Sequence, residues 1–174
     1  MSEKYNAGDF IVYDVYGICK IERLEKFSFS KAIPKEDYYV LHPINAPTST
    51  YYVPVTGEVA IKKLRRPMSE IHIKALLLEA LNLNLSWIEK RQQRTEYFYH
   101  VLSEGISAEL ICLIGCLYKK REELLSKGKK LSSTDENFFK AAENMVKEEF
   151  SFSLGIPDKK VSMYIHNFMI NPEK

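Results

Sequence analysis

The chain has 174 residues, of which 45% are hydrophobic and 28% are charged, and its formal net charge is +2. This is the composition of an ordinary globular protein with one compact domain or two small ones, and it argues against a disordered chain. A net charge so close to zero also argues against a protein that bulk positive charge alone holds to nucleic acid.

Positive charge is concentrated in the middle of the chain. Residues 66–130 carry eleven Lys and Arg against eight Asp and Glu, whereas residues 131–174 carry five against seven. This asymmetry favours a local contact with a polyanion, with a partner supplying the rest of the affinity. The three sparse cysteines and the absence of an apolar signal or membrane-spanning run predict a cytoplasmic protein without a membrane partner.

Residues 5–65 are predicted to form short strands, because β-branched and aromatic segments are separated by turn residues. Five such strands without a helix between them indicate a small antiparallel barrel or roll. Pro54 cannot donate to a strand ladder, so we expect either that its strand is at the edge of the sheet or that Pro54 ends the strand. An edge strand is where another protein can add a strand. The expected strands are residues 9–15, 18–27, 37–41, 50–55 and 59–63.

From Pro67 onward the apolar period becomes helical. Ser69 and Ser107 are expected to cap helices, and Ser86 with Glu89 and Ser133 with Glu136 have the spacing of capping boxes. The expected helices cover residues 69–81, 86–102, 108–127, 133–154 and 159–168, and Gly128 and Gly155 are expected terminators. The sequence therefore predicts an α+β protein with two domains, a β-domain over residues 1–65 and a compact five-helix domain over residues 66–174.

Trp87 is the only tryptophan of the chain. The predicted capping box places it in the first turn of a helix, with Lys90, Arg91 and Arg94 following one turn later. Cations suit phosphates and a flat apolar side chain suits a base step, so this stretch indicates nucleic-acid binding. The alternative is that Trp87 is buried in the core and the cations form a solvated helix face.

Six further cations lie within residues 119–130, and they suit either a solvated helix end or a phosphate-contacting patch. Because these cations occur together with the basic residues that follow Trp87, we favour the phosphate interpretation. No nucleotide-binding, hydrolase or metalloprotease motif occurs, so we expect a non-enzymatic protein without cofactor or small-molecule substrate. Cys112 and Cys116 lie one helical turn apart, but without further ligands they are expected to be core residues and not a metal site.

Five short segments occur in a characteristic order along the chain: AGDFIVYDVYGI (7–18), YYVL (38–41), YVPV (52–55), SW with basic residues after it (86–94) and KKLSSTDE (129–136). In sequence and order they resemble motifs of the CarD/CdnL family of bacterial transcription regulators. Two positions depart from that family: Asp14 stands where it usually has proline, and Glu89 replaces a residue that is often basic.

This resemblance implies a Tudor-like N-terminal domain that binds the β subunit of RNA polymerase, partly through strand pairing. The expected polymerase contacts are Lys26, Phe27, Tyr51, Tyr52, Val53 and Pro54. The helical domain is implied to lie on promoter DNA at the upstream edge of the melted region, without sequence-specific contacts, where Trp87 wedges into the minor groove and slows bubble collapse. Together with the residue patterns above, the expected DNA contacts are Trp87, Lys90, Arg91, Arg94, Lys119, Lys120, Lys129 and Lys130.

Two other interpretations remain open at the level of sequence. In the first, the β-domain binds polymerase or another protein while the helices only dimerise or recruit a further partner, which predicts a buried Trp87 and negligible DNA affinity. In the second, the protein is an uncharacterised enzyme, which predicts a deep pocket with converging polar groups.

Overall fold

The computed structural model describes residues 5–172, including every side chain in that range except those of Val15 and Ala60. The chain divides into two compact units, and the boundary between them lies between Pro67 and Met68. The first unit contains an antiparallel sheet and the second contains five longer helices, so the predicted α+β architecture is confirmed.

The sheet of the first unit has five strands in the order β4-β3-β2-β1-β5. All neighbouring strands are antiparallel, and the longest pairing joins β2 to β3, with a register shift between Ile21 and Arg23. The strand β4 is an edge, as Pro54 predicted. The bounds are β1 Phe10–Tyr13, β2 Ile18–Phe27, β3 Glu36–Pro43, β4 Tyr51–Pro54 and β5 Leu64–Arg65.

Side chains from non-adjacent strands close this sheet into a roll. Tyr13 at the end of β1 meets Tyr51 at the start of β4 edge to face, with ring centroids 6.1 Å apart. Because two strands separate β1 from β4 in the sheet, this contact requires the sheet to curl. The core inside the roll contains the buried side chains of Ile11, Cys19, Ile21, Tyr39, Leu41, Val53 and Leu64.

The predicted strand over residues 59–63 is wrong. Glu58–Ile61 forms a single helical turn, α1, in which the N–H of Ile61 donates to the carbonyl of Gly57. This local hydrogen bond satisfies backbone groups that a strand would have paired across the sheet. Val59 is 76% exposed, so burial does not hold the segment in an extended conformation either. The fifth strand is instead Leu64–Arg65, just after the predicted range.

The first predicted strand is shorter than expected, because Asp14–Tyr16 form a 3₁₀ turn instead of extending β1. The N–H of Tyr13 donates to the carbonyl of Gly17 at 2.9 Å, which closes the turn. Asp14 has φ +43°. A proline ring holds φ near −65°, so the turn at this position requires a residue other than proline.

The second unit packs its helices around α4. Its helices are α2 Glu70–Leu81, α3 Arg91–Ser103, α4 Ala108–Ser126, α5 Ser133–Leu154 and α6 Val161–Ile170. The segment Leu110–Ile114 of α4 is buried along its whole length, and all five helices contribute buried side chains to the surrounding core. Among the helices within residues 5–172, none has the length and hydropathy that crossing a bilayer requires.

Local capping signals predicted most of these helix ends. The hydroxyls of Ser69 and Ser107 accept hydrogen bonds from backbone N–H groups in the first turns of α2 and α4. Gly155 ends α5 in the left-handed conformation with φ +65°. The cap of α5 is Ser132 and not the expected Ser133, since the Ser132 hydroxyl accepts the N–H of Asp135.

The predicted helix start at Ser86 is wrong. Helix α3 begins at Arg91. Trp87 lies four residues earlier, in residues 84–90, which have no helical structure. The capping box of Ser86 with Glu89 does not form, and the N-cap is Lys90. The reason is tertiary, because a side chain from α3 takes the carbonyls that a helical turn at this point would have used.

Candidate nucleic-acid and polymerase interfaces

Trp87 is partly buried and packs against the core of the helical unit. Its ring meets Phe98 of α3 edge to face, with centroids 6.4 Å apart and planes inclined by 65°. A Trp that only anchors a core is usually more deeply buried, whereas a Trp that only wedges into DNA needs an accessible edge. Trp87 lies between these two cases, because it packs against the core and remains partly exposed.

Arg94 holds the segment that carries Trp87. Its Nη1 donates to the carbonyls of Ile88 and Glu89 at 2.8 and 3.1 Å. Its guanidinium carbon lies 4.5 Å from the centroid of the Trp87 ring, within the range of a cation–π contact. The two carbonyls belong to the residues that directly follow Trp87, so Arg94 fixes both the ring and the backbone beside it.

The other side of the Arg94 guanidinium is paired with Asp135 of α5. The Nε and Nη2 groups donate to the two carboxylate oxygens at 2.9 and 3.0 Å, and both side chains are less than 10% exposed. Four of the five N–H donors of this guanidinium are thus engaged within the protein. This geometry does not fit the predicted phosphate contact of Arg94, because its charge is buried and already paired.

Asp135 is a site residue that the sequence did not single out. Burial by itself raises the pKa of Asp135, but hydrogen bonds from Arg94 and Ser132 outweigh it and hold the pKa below its ordinary value. The Ser132 hydroxyl donates to the carboxylate at 2.7 Å while it accepts the N–H of Asp135. The ionised carboxylate therefore joins the cap of α5 to the Trp87 segment.

Three of the predicted cations lie close to this arrangement. The Nζ of Lys120, on α4, is 5.3 Å from the centroid of the Trp87 ring and 3.5 Å from a Glu123 oxygen. Arg91 is exposed and donates to the hydroxyl of Thr134, in the first turn of α5, at 3.1 Å. Lys90 is exposed at the N-cap of α3.

The start of α3 differs from those of α2, α4 and α5, which serine hydroxyls cap. Its N-cap residue, Lys90, makes no side-chain capping hydrogen bond, and the first turn has no acidic residue. The positive end of the helix dipole is therefore reinforced by Lys90 and Arg91. Such a helix end suits a phosphate group.

The remaining predicted cations are more peripheral. Lys129 and Lys130 are exposed just before the Ser132 cap of α5. Lys119 is exposed and its charge acts on His166 of α6: burial lowers the pKa of His166, and Lys119 lowers it further. Lys119 thus lies towards α6, whereas its neighbour Lys120 lies against Trp87.

The two cysteines on α4 have the character of core residues. Burial raises the pKa of Cys116 to about 11, so the thiol is protonated at neutral pH. Cys112 is buried, and burial raises its pKa as well. Within the described part of the chain, no group of three or more His, Cys, Asp or Glu side chains is placed to hold a metal ion.

A groove of about 980 Å³ lies in the helical unit, with Leu78 of α2 and Tyr164 of α6 in its lining. Its two charged lining residues are Glu70 and Lys74, and they pair with each other at 2.7 Å. An active site needs polar groups that converge on a substrate, and this pairing engages both charges with one another. The groove lends no support to the enzyme interpretation.

In the first unit, aromatic side chains gather beside the edge strand β4. The ring of Tyr52 stacks on that of Phe27, at the end of β2, with centroids 5.5 Å apart and planes inclined by 26°. Phe29 meets both rings edge to face, at 6.0 Å from Tyr52 and 4.8 Å from Phe27. Tyr38 of β3 completes the group at 5.4 Å from Phe29. We call Phe27, Phe29, Tyr38 and Tyr52 the edge aromatic cluster.

Phe29 and Tyr38 were not predicted as interface residues. Phe29 is 63% exposed, which is unusual for a phenylalanine. Its signal in the sequence is the repeated aromatic in Phe27-Ser28-Phe29, where the strand pattern ends in a polar turn. Tyr38 carried no such signal, because it lies inside an expected strand and is 9% exposed.

The other predicted polymerase contacts differ in accessibility. Lys26 is exposed on β2 opposite Asp37. Val53 is 1% exposed and belongs to the core of the roll, so only its backbone is available to a partner. The ring of Tyr51 packs at a tilt against that of Tyr16, which is not part of the edge aromatic cluster, with ring centroids 4.3 Å apart. Pro54 is partly buried at the end of β4.

Residues 5–66 match the family model of the CarD-like/TRCF RID domain. None of the curated proteins matches the chain significantly. The matched range contains all five strands and the edge aromatic cluster, whereas the helical unit lies outside it. The N-terminal unit is therefore a CarD-like RNA polymerase-interacting domain, which is a protein-interaction domain.

Proposed function

We propose that this protein regulates transcription initiation by binding the β subunit of RNA polymerase and promoter DNA at once. The helical unit lies at the upstream edge of the melted region, and Trp87 acts there as a minor-groove wedge that stabilises the open complex. The observation that carries this proposal is the partly accessible indole of Trp87, held between the core and the cations Lys120 and Arg94.

The arrangement of Trp87 suits a wedge. An apolar side chain that enters a base step opposes an unstacking cost of a few kcal/mol, which it can offset only in part. Opposing bubble closure by about 1.4 kcal/mol changes the ratio of open to closed complexes about tenfold. A modest contribution from one indole is therefore sufficient for a regulatory effect.

Phosphate contacts are proposed at the accessible cations. Lys90 and Arg91 lie at the uncapped start of α3, where the helix dipole adds to their charge. Lys120, on α4, lies against the Trp87 ring. Lys119, Lys129 and Lys130 are proposed as outer contacts, because they are exposed on the same unit.

Attachment to polymerase explains why a net charge of +2 suffices. A tethered domain meets its site at an effective concentration of about millimolar, so weak intrinsic DNA affinity is adequate. We propose that the edge strand β4 adds to a sheet of the β subunit, with the exposed Tyr52 and Phe29 and the partly buried Phe27 packing beside the paired strands. Lys26, Tyr51 and Pro54 flank this surface, and Val53 contributes main-chain groups.

The experiment that tests the proposal is the lifetime of an open promoter complex formed by purified polymerase. The wild-type protein is compared with Trp87→Ala and with Phe152→Ala, while polymerase binding is measured separately. Phe152 is a matched control, because it is a 39% exposed aromatic near the far end of α5, about 25 Å along that helix from Asp135.

We expect the wild-type protein and Phe152→Ala to lengthen the lifetime, and Trp87→Ala to lose most of that gain while still binding polymerase. If all three proteins bind polymerase and none changes the lifetime, the wedge is rejected. The helical unit is then a protein-binding module, as in the alternative interpretation of the sequence.

A further inference from the structure

We propose that Arg94 is the positioning residue of the wedge: its buried pairing with Asp135 fixes residues 84–90 and sets the orientation of the Trp87 indole. This inference rests on the proposed function, since it assigns the residue that makes the wedge rigid. It replaces the predicted phosphate contact of Arg94 with an action through another residue.

One side chain connects three parts of the helical unit. The backbone of Arg94 belongs to α3, its carboxylate partner Asp135 belongs to α5, and its Nη1 binds the segment between α2 and α3. The partners are separated by 41 residues in the chain, so the pair fixes a tertiary relationship and not a local turn. The segment that carries Trp87 is thus held against two helices at once.

The contacts of Arg94 fix the orientation of the indole as well as its position. The guanidinium lies against the ring at 4.5 Å from its centroid, and Phe98 blocks another direction at 6.4 Å, edge to face. The carbonyls of Ile88 and Glu89, just after Trp87, accept from the same guanidinium. Rotation of the ring therefore requires that the stack and the adjacent backbone move together.

A wedge needs such support because residues 84–90 belong to no helix or strand. Segments of this kind open at low cost unless side chains tie them down. A side chain that is ordered before binding loses less entropy when it inserts. Its binding is then stronger, although no new contact is made. Preorganisation by Arg94 therefore bears on open-complex lifetime without any contact between Arg94 and DNA.

The forked shape of the guanidinium is the property that this role requires. Arginine presents rigid donors that reach a carboxylate bidentately and two carbonyls simultaneously, whereas lysine presents a single charged point. Arg94→Lys therefore keeps the positive charge and removes the fork. A phosphate contact would tolerate this substitution, but a positioning role would not.

The first test uses the fact that Trp87 is the only tryptophan, so its fluorescence reports its own motion. Time-resolved fluorescence anisotropy of the free full-length protein is compared for wild type, Arg94→Lys and Arg91→Lys. Arg91 is the matched control, because it is exposed and lies three residues earlier on α3. Thermal unfolding and far-ultraviolet circular dichroism establish that each variant is folded.

We expect faster local rotation of the indole in Arg94→Lys and unchanged rotation in Arg91→Lys. Asp135→Asn is the second variant, used if Arg94→Lys does not fold, because it keeps one acceptor oxygen and removes the charge. Its indole is likewise expected to rotate faster. A folded Arg94→Lys or Asp135→Asn protein with wild-type anisotropy overturns the inference.

The second test is a double-mutant comparison of open-complex lifetimes with Trp87→Ala, Arg94→Lys and the two changes combined. We expect Arg94→Lys to lose at least half of the gain in lifetime, and the combined variant to equal Trp87→Ala. A further loss in the combined variant means that Arg94 acts on the open complex by a route other than Trp87, and this overturns the inference. If Trp87→Ala keeps the full lifetime while the anisotropy changes as expected, the proposed function fails and the positioning of the indole stands.

Discussion

Tyr52 on the edge strand β4 stacks on Phe27 at the end of β2, across the intervening strand β3, with ring centroids 5.5 Å apart. The stack leaves Tyr52 37% exposed and seats Phe29, which is 63% exposed, against both rings. Aromatic groups of this kind contribute most of the binding free energy in many protein interfaces. The relationship places an apolar group beside a strand edge that is open to pairing.

Truncating the exposed members of this cluster is expected to weaken polymerase binding. We expect Phe29→Ala and Tyr52→Ala each to raise the dissociation constant for the β subunit by about tenfold or more, as for interface aromatics in general. Leu24→Ala is the control, because Leu24 is 48% exposed on the inner strand β2. Titration of the isolated β subunit measures the constants, and equal affinities for all four proteins would remove the cluster from the interface.

The buried pair in the helical unit is expected to dominate its response to single substitutions. Arg94→Ala leaves Asp135 ionised and without its partner, so we expect the free energy of unfolding to fall by about 3–5 kcal/mol. Arg91→Ala removes an exposed guanidinium and is expected to change it by less than about 0.5 kcal/mol. Chemical unfolding monitored by circular dichroism provides both values, and similar losses in the two variants would contradict the assignment of the buried pair.

Sequence reasoning succeeded where the determining interactions are local. The serines that cap α2 and α4 act on N–H groups three residues away, and Gly155 ends α5 through its own backbone conformation. Pro54 marked the edge of the sheet because its missing donor is a property of one residue. These signals are contained in a few neighbouring residues, so the fold class and most element bounds follow from them.

Sequence reasoning failed where a distant side chain competes with the local signal. Ser86 and Glu89 have the spacing of a capping box, but Arg94 takes the carbonyls beside Trp87 and the helix begins at Arg91. The pairing of Arg94 with Asp135, 41 residues later, has no signature in either neighbourhood. From sequence alone, an arginine close to a tryptophan in the chain is interpreted as a phosphate contact, because its acidic partner cannot be identified.

Acid is expected to loosen the Trp87 segment through Asp135. The folded state holds the pKa of this carboxyl below its ordinary value of 3.8, so the pair contributes its full stability above pH 3.8. That contribution is lost as pH falls further, through the lowered pKa, because the unfolded chain binds the proton more readily. Asp135→Asn lacks this titration.

The measurement is the unfolding free energy between pH 2.5 and 7 for the wild type and Asp135→Asn. We expect the difference between them to be constant near neutral pH and to shrink below about pH 4. A difference that stays constant down to pH 2.5 would show that the pKa of Asp135 is not lowered by the fold.

The salt dependence of DNA binding is expected to separate the accessible cations from Arg94. For each phosphate that a cation neutralises on duplex DNA, the slope of log K against log salt concentration changes by about 0.9. We therefore expect Lys90→Gln and Arg91→Gln each to make the slope shallower by nearly one, measured as binding of the polymerase-bound protein to duplex DNA upstream of the bubble.

Lys120→Gln is expected to act on the slope and also on Trp87, because the Nζ of Lys120 lies 5.3 Å from the ring centroid. Arg94→Gln is expected to leave the slope unchanged while it shortens the open-complex lifetime, since the guanidinium of Arg94 is paired inside the protein. A slope that changes with Arg94→Gln but not with Lys90→Gln or Arg91→Gln would reverse these assignments and place the phosphate contact at Arg94.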